Sequence, residues 1–222
     1  MNPWTRIDLY CERTDWAFWA EPLNALTNLA FLVAAVLILK WTRDDRGRAP
    51  WDALLLAALA ALVGVGSFLF HTFATVWGRW LDLAFIALFI YVFLARSLVR
   101  VVGLGWRGAL VGLVLYFGLE RGALALLPRD ALGGSVLYLP ALLGLAGLAL
   151  VAWRRRHGAA TRLAVAAGLF LAAIGIRTLD QPLCEAWPTG THFIWHLLVA
   201  WVLYLAATAA LEPRGATAAN RG

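Results

Sequence analysis

The sequence predicts an all-α membrane protein: a bundle of seven transmembrane helices with its N-terminus outside and its C-terminus in the cytoplasm. The first observation is composition, because 62% of the 222 residues are hydrophobic, only 14% are charged, and the mean hydropathy is +0.75. A soluble domain of this composition would expose too much apolar surface. The second is a series of seven apolar runs, each near the roughly 20 residues that span a bilayer core as helix. The third is the uneven distribution of Lys and Arg among the loops.

Short connections separate the seven runs, so consecutive helices are expected to lie antiparallel in one bundle. Residues 1–19 are then an outer-side N-terminal segment, 20–211 the seven-helix domain, and 212–222 a cytoplasmic tail that we expect to be disordered. The N-terminal segment lacks the apolar core of a signal peptide and should be retained. The runs are 20–41, 52–72, 78–98, 106–127, 134–153, 160–180 and 191–211.

The basic residues predict the orientation of the bundle. Most of the 19 Lys and Arg residues lie in the tail and in the loops after the first, third and fifth runs. By the positive-inside rule, these loops face the cytoplasm. Because the basic residues flank apolar runs, the net charge of +6 does not indicate a nucleic-acid partner. The expected surroundings are the lipid bilayer, and nothing in the sequence implies an obligate protein partner.

Both cysteines fall on the outer side in this topology. Cys11 lies in the N-terminal segment and Cys184 in the loop before the last run. Oxidising compartments favour disulfides, so a bridge that pins the N-terminal segment over the bundle is one interpretation. Two free, unrelated thiols are the other.

Ionisable residues from three runs converge on the outer end of the bundle. His192 and His196 are four residues apart and share one helix face, as do Ser67 and His71 at the end of the second run. Asp82 lies about one turn inside the third run. Ionisable groups at membrane depth usually have a functional role. The alternative for an isolated histidine pair is interfacial imidazoles bonded to water or carbonyls.

These residue types suit metal-assisted hydrolysis. Three His ligands that leave one coordination position open are a catalytic zinc arrangement. Asp82 is then a candidate proton acceptor, and Ser67 a candidate donor to a developing oxyanion. Taken alone, Ser67 is as well explained by a bond to its own helix carbonyl, and Asp82 by interfacial solvation.

Further polar residues accompany this set. Glu21, Asn24 and Asn28 share a helix face at the start of the first run, and the stripe should point into the bundle rather than at lipid. Arg177 and Asp180 are three residues apart and are candidates to pair with each other. Structural bonds between helices are the alternative role for these groups.

Several motifs along nearly the whole chain carry a resemblance. They are Cys11-Glu12, Glu21-x2-Asn24-x2-Thr27-Asn28, Ser67-x3-His71, Asp82, Asp180-x3-Cys184 and His192-x3-His196. In combination they resemble the alkaline ceramidase family, which belongs to a wider group of membrane hydrolases that also includes the adiponectin-type receptors. The resemblance implies a zinc-dependent amidase, which hydrolyses ceramide to a fatty acid and a sphingoid base by attack of a metal-bound water.

The resemblance also implies roles for individual residues. His71, His192 and His196 match the family's zinc ligands, and Ser67 and Asp82 match its active-site serine and aspartate. The two cysteines match its lumenal disulfide.

A calcium site formed by the N-terminal segment and the first helix is a further implication of the family. Glu12 and Glu21 match two of its ligands. The segment between them is about two residues shorter than in the family, and Thr14 stands where Asn is common. Asp8 or Asp15 is expected to supply a missing oxygen.

Composition and the resemblance together leave the substrate open. An Arg-rich, Lys-poor sequence indicates a bacterial source, so the expected location is the cytoplasmic membrane with the site toward its outer side. The substrate is then ceramide or another N-acyl lipid, and an ester is not excluded. The rival interpretations are a seven-helix receptor or sensor with a structural zinc site, and a haem- or ion-handling protein that uses the histidine pairs.

Overall fold

The computed structural model describes residues 2–212, and it confirms an all-helical fold with seven helices long and apolar enough to cross a membrane. Within these residues an isolated antiparallel bridge joins Arg6 to Thr75. The first span consists of α1 and α2, and each later span has one α-helix. The α-helices are α1 (Pro22–Thr27), α2 (Leu29–Thr42), α3 (Trp51–Phe73), α4 (Val76–Arg100), α5 (Trp106–Leu126), α6 (Leu139–Arg154), α7 (Ala160–Thr178) and α8 (His192–Ala210).

Two spans differ from a simple apolar helix. The first span is interrupted at Asn28, whose side-chain amide donates to the Asn24 carbonyl oxygen at 2.8 Å. The fifth span begins with a 3-10 segment, Ala131–Tyr138, in which Leu132 has a left-handed φ of 55°. The fourth span is continuous through Glu120, whose carboxylate accepts a hydrogen bond from the Tyr91 hydroxyl at 2.5 Å.

Helices α3 and α8 form the centre of the bundle. α3 packs between α2 and α4, and α8 contacts α2, α3, α4 and α7. A Cβ atom at Gly66 would lie only 2.8 Å from the Phe85 ring, so this glycine is needed for α3 to approach α4. α5 is the least buried span and forms an edge of the bundle. The two central helices are the ones that carry the histidines.

The N-terminal segment lies across the end of the bundle at which α3 turns into α4. Its backbone bonds to that turn, with Ile7 N donating to Ala74 O at 2.7 Å and Val76 N to Thr5 O at 3.0 Å. Cys11 and Cys184 are disulfide-bonded, with their Cα atoms 5.2 Å apart. The bridge inferred from the sequence is therefore present, and it joins the N-terminal segment to the loop before α8.

The opposite end of the bundle is held by buried ion pairs. Asp52 at the start of α3 accepts hydrogen bonds from Arg96 and Arg100 of α4, the latter at 2.8 Å. Glu212, which the sequence assigned to the tail, is buried and pairs with Arg162. The rest of the predicted tail, 213–222, lies outside the described residues.

Candidate metal centre

Three buried histidines meet where the N-terminal segment covers the bundle. His71 lies near the C-terminal end of α3, and His192 and His196 lie in the first turns of α8. One side-chain nitrogen from each lies within 4.8 Å of the others, and none of the three residues is more than 3% exposed. Within residues 2–212 this is the one group of three or more His, Cys, Asp or Glu side chains close enough to hold a metal ion.

A carboxylate orients His71. Nδ1 of His71 lies 2.6 Å from Oε2 of Glu21, which leaves Nε2 to face the other imidazoles. That Nε2 is buried and has no hydrogen-bond partner among the described residues. The other carboxylate oxygen, Oε1, accepts from Arg13 Nε at 2.6 Å, and this permanent cation favours the ionised form of Glu21. An ionised carboxylate on the far nitrogen is the usual support for a metal-binding histidine.

A threonine orients His196. The Thr27 hydroxyl donates to the Leu23 carbonyl at 2.7 Å, so its oxygen is free to accept from Nδ1–H of His196 at 2.9 Å. Nε2 of His196 therefore carries the lone pair, and it lies 3.4 Å from the Ser67 hydroxyl. Two of the three imidazoles are thus fixed in the tautomer that presents Nε2 to a shared centre.

His192 is held by stacking and by its backbone. Its ring stacks on Tyr10 of the N-terminal segment, with the centroids 3.7 Å apart. Its Nδ1 is buried with no hydrogen-bond partner among residues 2–212. Orphaned buried nitrogens on neighbouring imidazoles are costly unless something binds them. The donor set therefore fits a zinc ion, which takes three neutral imidazoles and leaves a further position open.

Asp180 ties three segments together beside His192. Its Oδ1 accepts from the backbone N–H groups of Thr191 and His192 at 2.6 and 2.9 Å, and its Oδ2 accepts from Cys11 N at 3.1 Å. A carboxylate at the start of α8 is favourable because it meets free N–H groups and the positive end of the helix dipole. A Cβ atom at Gly190 would lie 2.2 Å from Oδ1, and its φ is +62°, so the close approach requires glycine.

Arg177 and Asp180 do not pair with each other, contrary to the interpretation of their spacing. α7 ends at Thr178, so Asp180 lies beyond the helical geometry that an i, i+3 pair needs. Arg177 instead donates to the Ser135 hydroxyl at 2.8 Å and to the Tyr10 hydroxyl at 3.4 Å. Burial raises the pKa of the Tyr10 phenol above its usual value, so Tyr10 is neutral beside His192.

The two residues predicted to act in hydrolysis lie beside the histidines. Ser67 is buried on α3, one turn before His71. Asp82 is partly buried on α4, where its carboxylate interacts with His71 and Ser67. The site thus combines imidazoles from α3 and α8 with a carboxylate from α4.

The asparagines of the predicted stripe are buried, as expected. Asn24 Nδ2 donates to Glu21 Oε2 at 3.0 Å, and Asn28 donates within its own helix turn. Both hold the start of the first span rather than reaching the imidazoles.

The three carboxylates predicted for calcium do not form a site that fits the ion. Glu12 accepts from the backbone N–H groups of Leu23 and Asn24 at 2.6 and 2.8 Å and so caps the first helix. Burial raises its pKa, partly offset by these bonds. Asp8 is exposed. Both oxygens of Glu21 are already bound, Oε1 by Arg13 and Oε2 by His71. Calcium binding stays a prediction, with no cluster of oxygens to support it.

Two cavities lie between the helices on one side of the bundle. One lies between α4, α6, α7 and α8 and includes Trp195, whose ring is parallel to that of His192 at 6.4 Å. A second cavity of about 460 Å³ shares Ile86, Ile90 and Tyr138 with it and reaches α5. The first cavity is lined by apolar side chains, whereas the second also includes the charged residues Arg79, Glu120 and Arg121.

The fold and the site define a seven-helix membrane protein with a buried three-histidine centre. Comparison with known proteins adds nothing to this class: no family model matches the sequence, and no curated protein matches it. The resemblance to alkaline ceramidases therefore rests on the residues quoted above.

Three residues that support the site were not predicted from the sequence. Thr27 was noted within a motif but not as a partner of His196, although it follows the buried Asn24 by three residues. Tyr10 and Arg13 gave no signal, because their roles depend on how the N-terminal segment folds back over the bundle.

Proposed function

We propose that this protein is a zinc-dependent hydrolase of lipid amides, similar to the alkaline ceramidases. The observation that carries the proposal is the convergence of three buried imidazoles, those of His71, His192 and His196, with one nitrogen of each within 4.8 Å of the others. A zinc ion held by these imidazoles would supply a Lewis acid that polarises a carbonyl and acidifies water. The proposal includes the bacterial cytoplasmic membrane, with the site toward its outer side.

The neighbouring residues have the chemistry that amide hydrolysis needs. Asp82 accepts a proton from the attacking water and returns it to the departing amine nitrogen, as the C–N bond breaks and the new C–O bond forms. Ser67 donates a hydrogen bond to the oxyanion that develops on the carbonyl. Glu21 and Thr27 keep the imidazoles in the required tautomers.

The surrounding cavities favour a lipid over a soluble amide. The cavity beside Trp195 is lined almost entirely by apolar side chains from four helices, which suits an acyl chain. It shares Ile86, Ile90 and Tyr138 with a second cavity that reaches α5, and we infer that the apolar tail of a substrate enters by this route. Ceramide or another N-acyl lipid meets these requirements.

The experiment is turnover by the purified protein in micelles, with a panel of N-acyl lipids and the matching esters. We expect release of fatty acid from at least one amide, loss of release after treatment with a zinc chelator, and recovery on adding zinc. Stoichiometric zinc without turnover of any substrate would contradict the proposal and favour a receptor with a structural zinc site. Visible absorbance from a bound haem would exclude it.

A further inference from the structure

Arg13 is a buried cation beside the candidate metal centre. Its side chain is 1% exposed, and its Nε lies 2.6 Å from Glu21 Oε1. Its two other nitrogens donate to backbone carbonyls, Nη1 to Asp15 O at 3.0 Å and Nη2 to His71 O at 2.7 Å. One guanidinium therefore collects oxygens from the N-terminal segment, from the start of the first span and from α3.

This set of contacts is the kind that a calcium ion makes. Calcium joins carboxylate and carbonyl oxygens from separate segments of a chain. Here the guanidinium joins such oxygens, and it occupies the carboxylate that the resemblance assigns to calcium. A calcium ion at Glu21 would have to displace a charged side chain that is already neutralised and hydrogen-bonded there.

We propose that Arg13 replaces the predicted calcium ion as a permanent internal cation and, in a second step that rests on the proposed zinc function, positions Glu21 as the orienting partner of His71. A guanidinium stays charged at all relevant pH values, so the first helix and the N-terminal segment are joined without a free cation.

The two oxygens of the Glu21 carboxylate bind different partners, and this supports the positioning role of Arg13. Arg13 binds Oε1, whereas Oε2 accepts from His71 Nδ1 at 2.6 Å and from Asn24 at 3.0 Å. With Oε1 fixed, Oε2 is directed at the imidazole. Arg13 also donates to the backbone carbonyl of His71. This carbonyl lies near the C-terminal end of α3, where the helix dipole favours a cation. Both the backbone and the side-chain orientation of His71 are thereby linked to one residue.

Arg6 provides a matched control. It comes from the same segment, donates to Trp16 O at 3.0 Å and lies over the Trp16 ring at 5.3 Å, much as Arg13 lies over that ring at 5.8 Å. Arg6 is exposed and forms no ion pair with Glu21. Substituting Arg6 removes a similar aromatic contact without touching the carboxylate.

The first part of the test needs no zinc and no substrate. Wild-type protein is titrated with calcium by calorimetry, and its thermal unfolding is compared in calcium and in a calcium-selective chelator. We expect no saturable binding and no shift in Tm. Stoichiometric calcium binding that raises Tm would overturn the replacement of calcium by Arg13, whatever the protein hydrolyses.

The second part measures zinc affinity by competition with a fluorescent chelator. Arg13→Gln should weaken zinc binding about 10- to 100-fold, Arg13→Lys less, and Arg6→Gln not at all. If Arg13 acts through Glu21, the double variant with Glu21→Gln should lose little more than Glu21→Gln alone. Additive losses, or unchanged zinc affinity in Arg13→Gln, would refute the positioning role. If Arg13→Gln does not fold, Arg13→Lys and its double variant give the same comparison.

Discussion

Two buried polar clusters lie at opposite ends of the bundle, and they differ in what their charges meet. At the end opposite the histidines, Asp52 receives the guanidinium groups of Arg96 and Arg100, and Glu212 receives Arg162. At the histidine end, the carboxylates of Glu21 and Asp180 are also bonded, but the nitrogens of His71 and His192 that they help to position are not.

The difference separates joining helices from holding a ligand. Asp52 joins α3 to α4 by pairing charges of opposite sign, so the chain itself completes the contact. Around the histidines the chain orients His71 and His196 by their Nδ1 atoms and His192 by stacking on its ring, and it brings one nitrogen of each ring within 4.8 Å of the others. The nitrogen lone pairs of imidazoles arranged in this way repel one another or lack a partner, unless a cation lies between the rings.

Loss of an imidazole should have the largest effect. We expect His71→Ala, His192→Ala and His196→Ala each to lose stoichiometric zinc and to reduce hydrolysis to background, because two ligands hold the ion poorly. Zinc content by mass spectrometry and fatty-acid release are the measurements. His157→Ala removes the remaining histidine, which lies outside the cluster, and should keep both. Hydrolysis by the variant that lacks all three of these histidines would contradict the role assigned to the histidine end of the bundle.

Asp82→Asn should act on turnover and not on the metal. We expect zinc content to be unchanged and kcat to fall about 10²- to 10⁴-fold, since the amide side chain cannot carry the proton. Steady-state kinetics with the best N-acyl lipid test this, with the exposed Asp45→Asn as control. Unchanged kcat would remove the role of Asp82.

Asp52→Asn should act on stability and not on zinc. Removing this charge leaves two guanidinium groups without their carboxylate, and a broken buried pair costs about 3–5 kcal/mol. Equilibrium unfolding in mixed micelles measures the loss, with zinc content measured in parallel. If zinc fell while stability held, the two ends would not be functionally separate.

Thr27→Val should have the smallest effect. Removing the hydroxyl that accepts from His196 Nδ1 should weaken zinc affinity about 10- to 100-fold. Thr42→Val is the control, because among residues 2–212 the Thr42 hydroxyl bonds to backbone carbonyls of its own helix, Ile38 O at 2.8 Å and Leu39 O at 3.3 Å. Equal zinc affinity in the two variants would show that the Thr27 contact does not support the centre.

The sequence predicts the parts of this structure that depend on local patterns. Apolar runs give the seven spans, and the four-residue spacing of His192 and His196 gives a shared face, because each follows from helix geometry alone. The topology then brings His71 to the same end. The disulfide between Cys11 and Cys184, predicted because both lie on the outer side of the expected topology, is confirmed.

Contacts that depend on the path of irregular segments are not predictable in this way. Arg13, Tyr10 and Thr27 reach the histidines only because the N-terminal segment folds across the bundle and the first span breaks at Asn28. The pairing expected for Arg177 and Asp180 failed for the same reason, since the helix ends between them.

The most direct measurement of the central claim is zinc K-edge X-ray absorption on the purified protein in micelles. The account predicts one zinc environment with three imidazole ligands and one further oxygen ligand, altered by each of the three histidine substitutions. A zinc with fewer than three imidazoles or with sulfur ligands, or a protein that retains no zinc after purification in its presence, would contradict it.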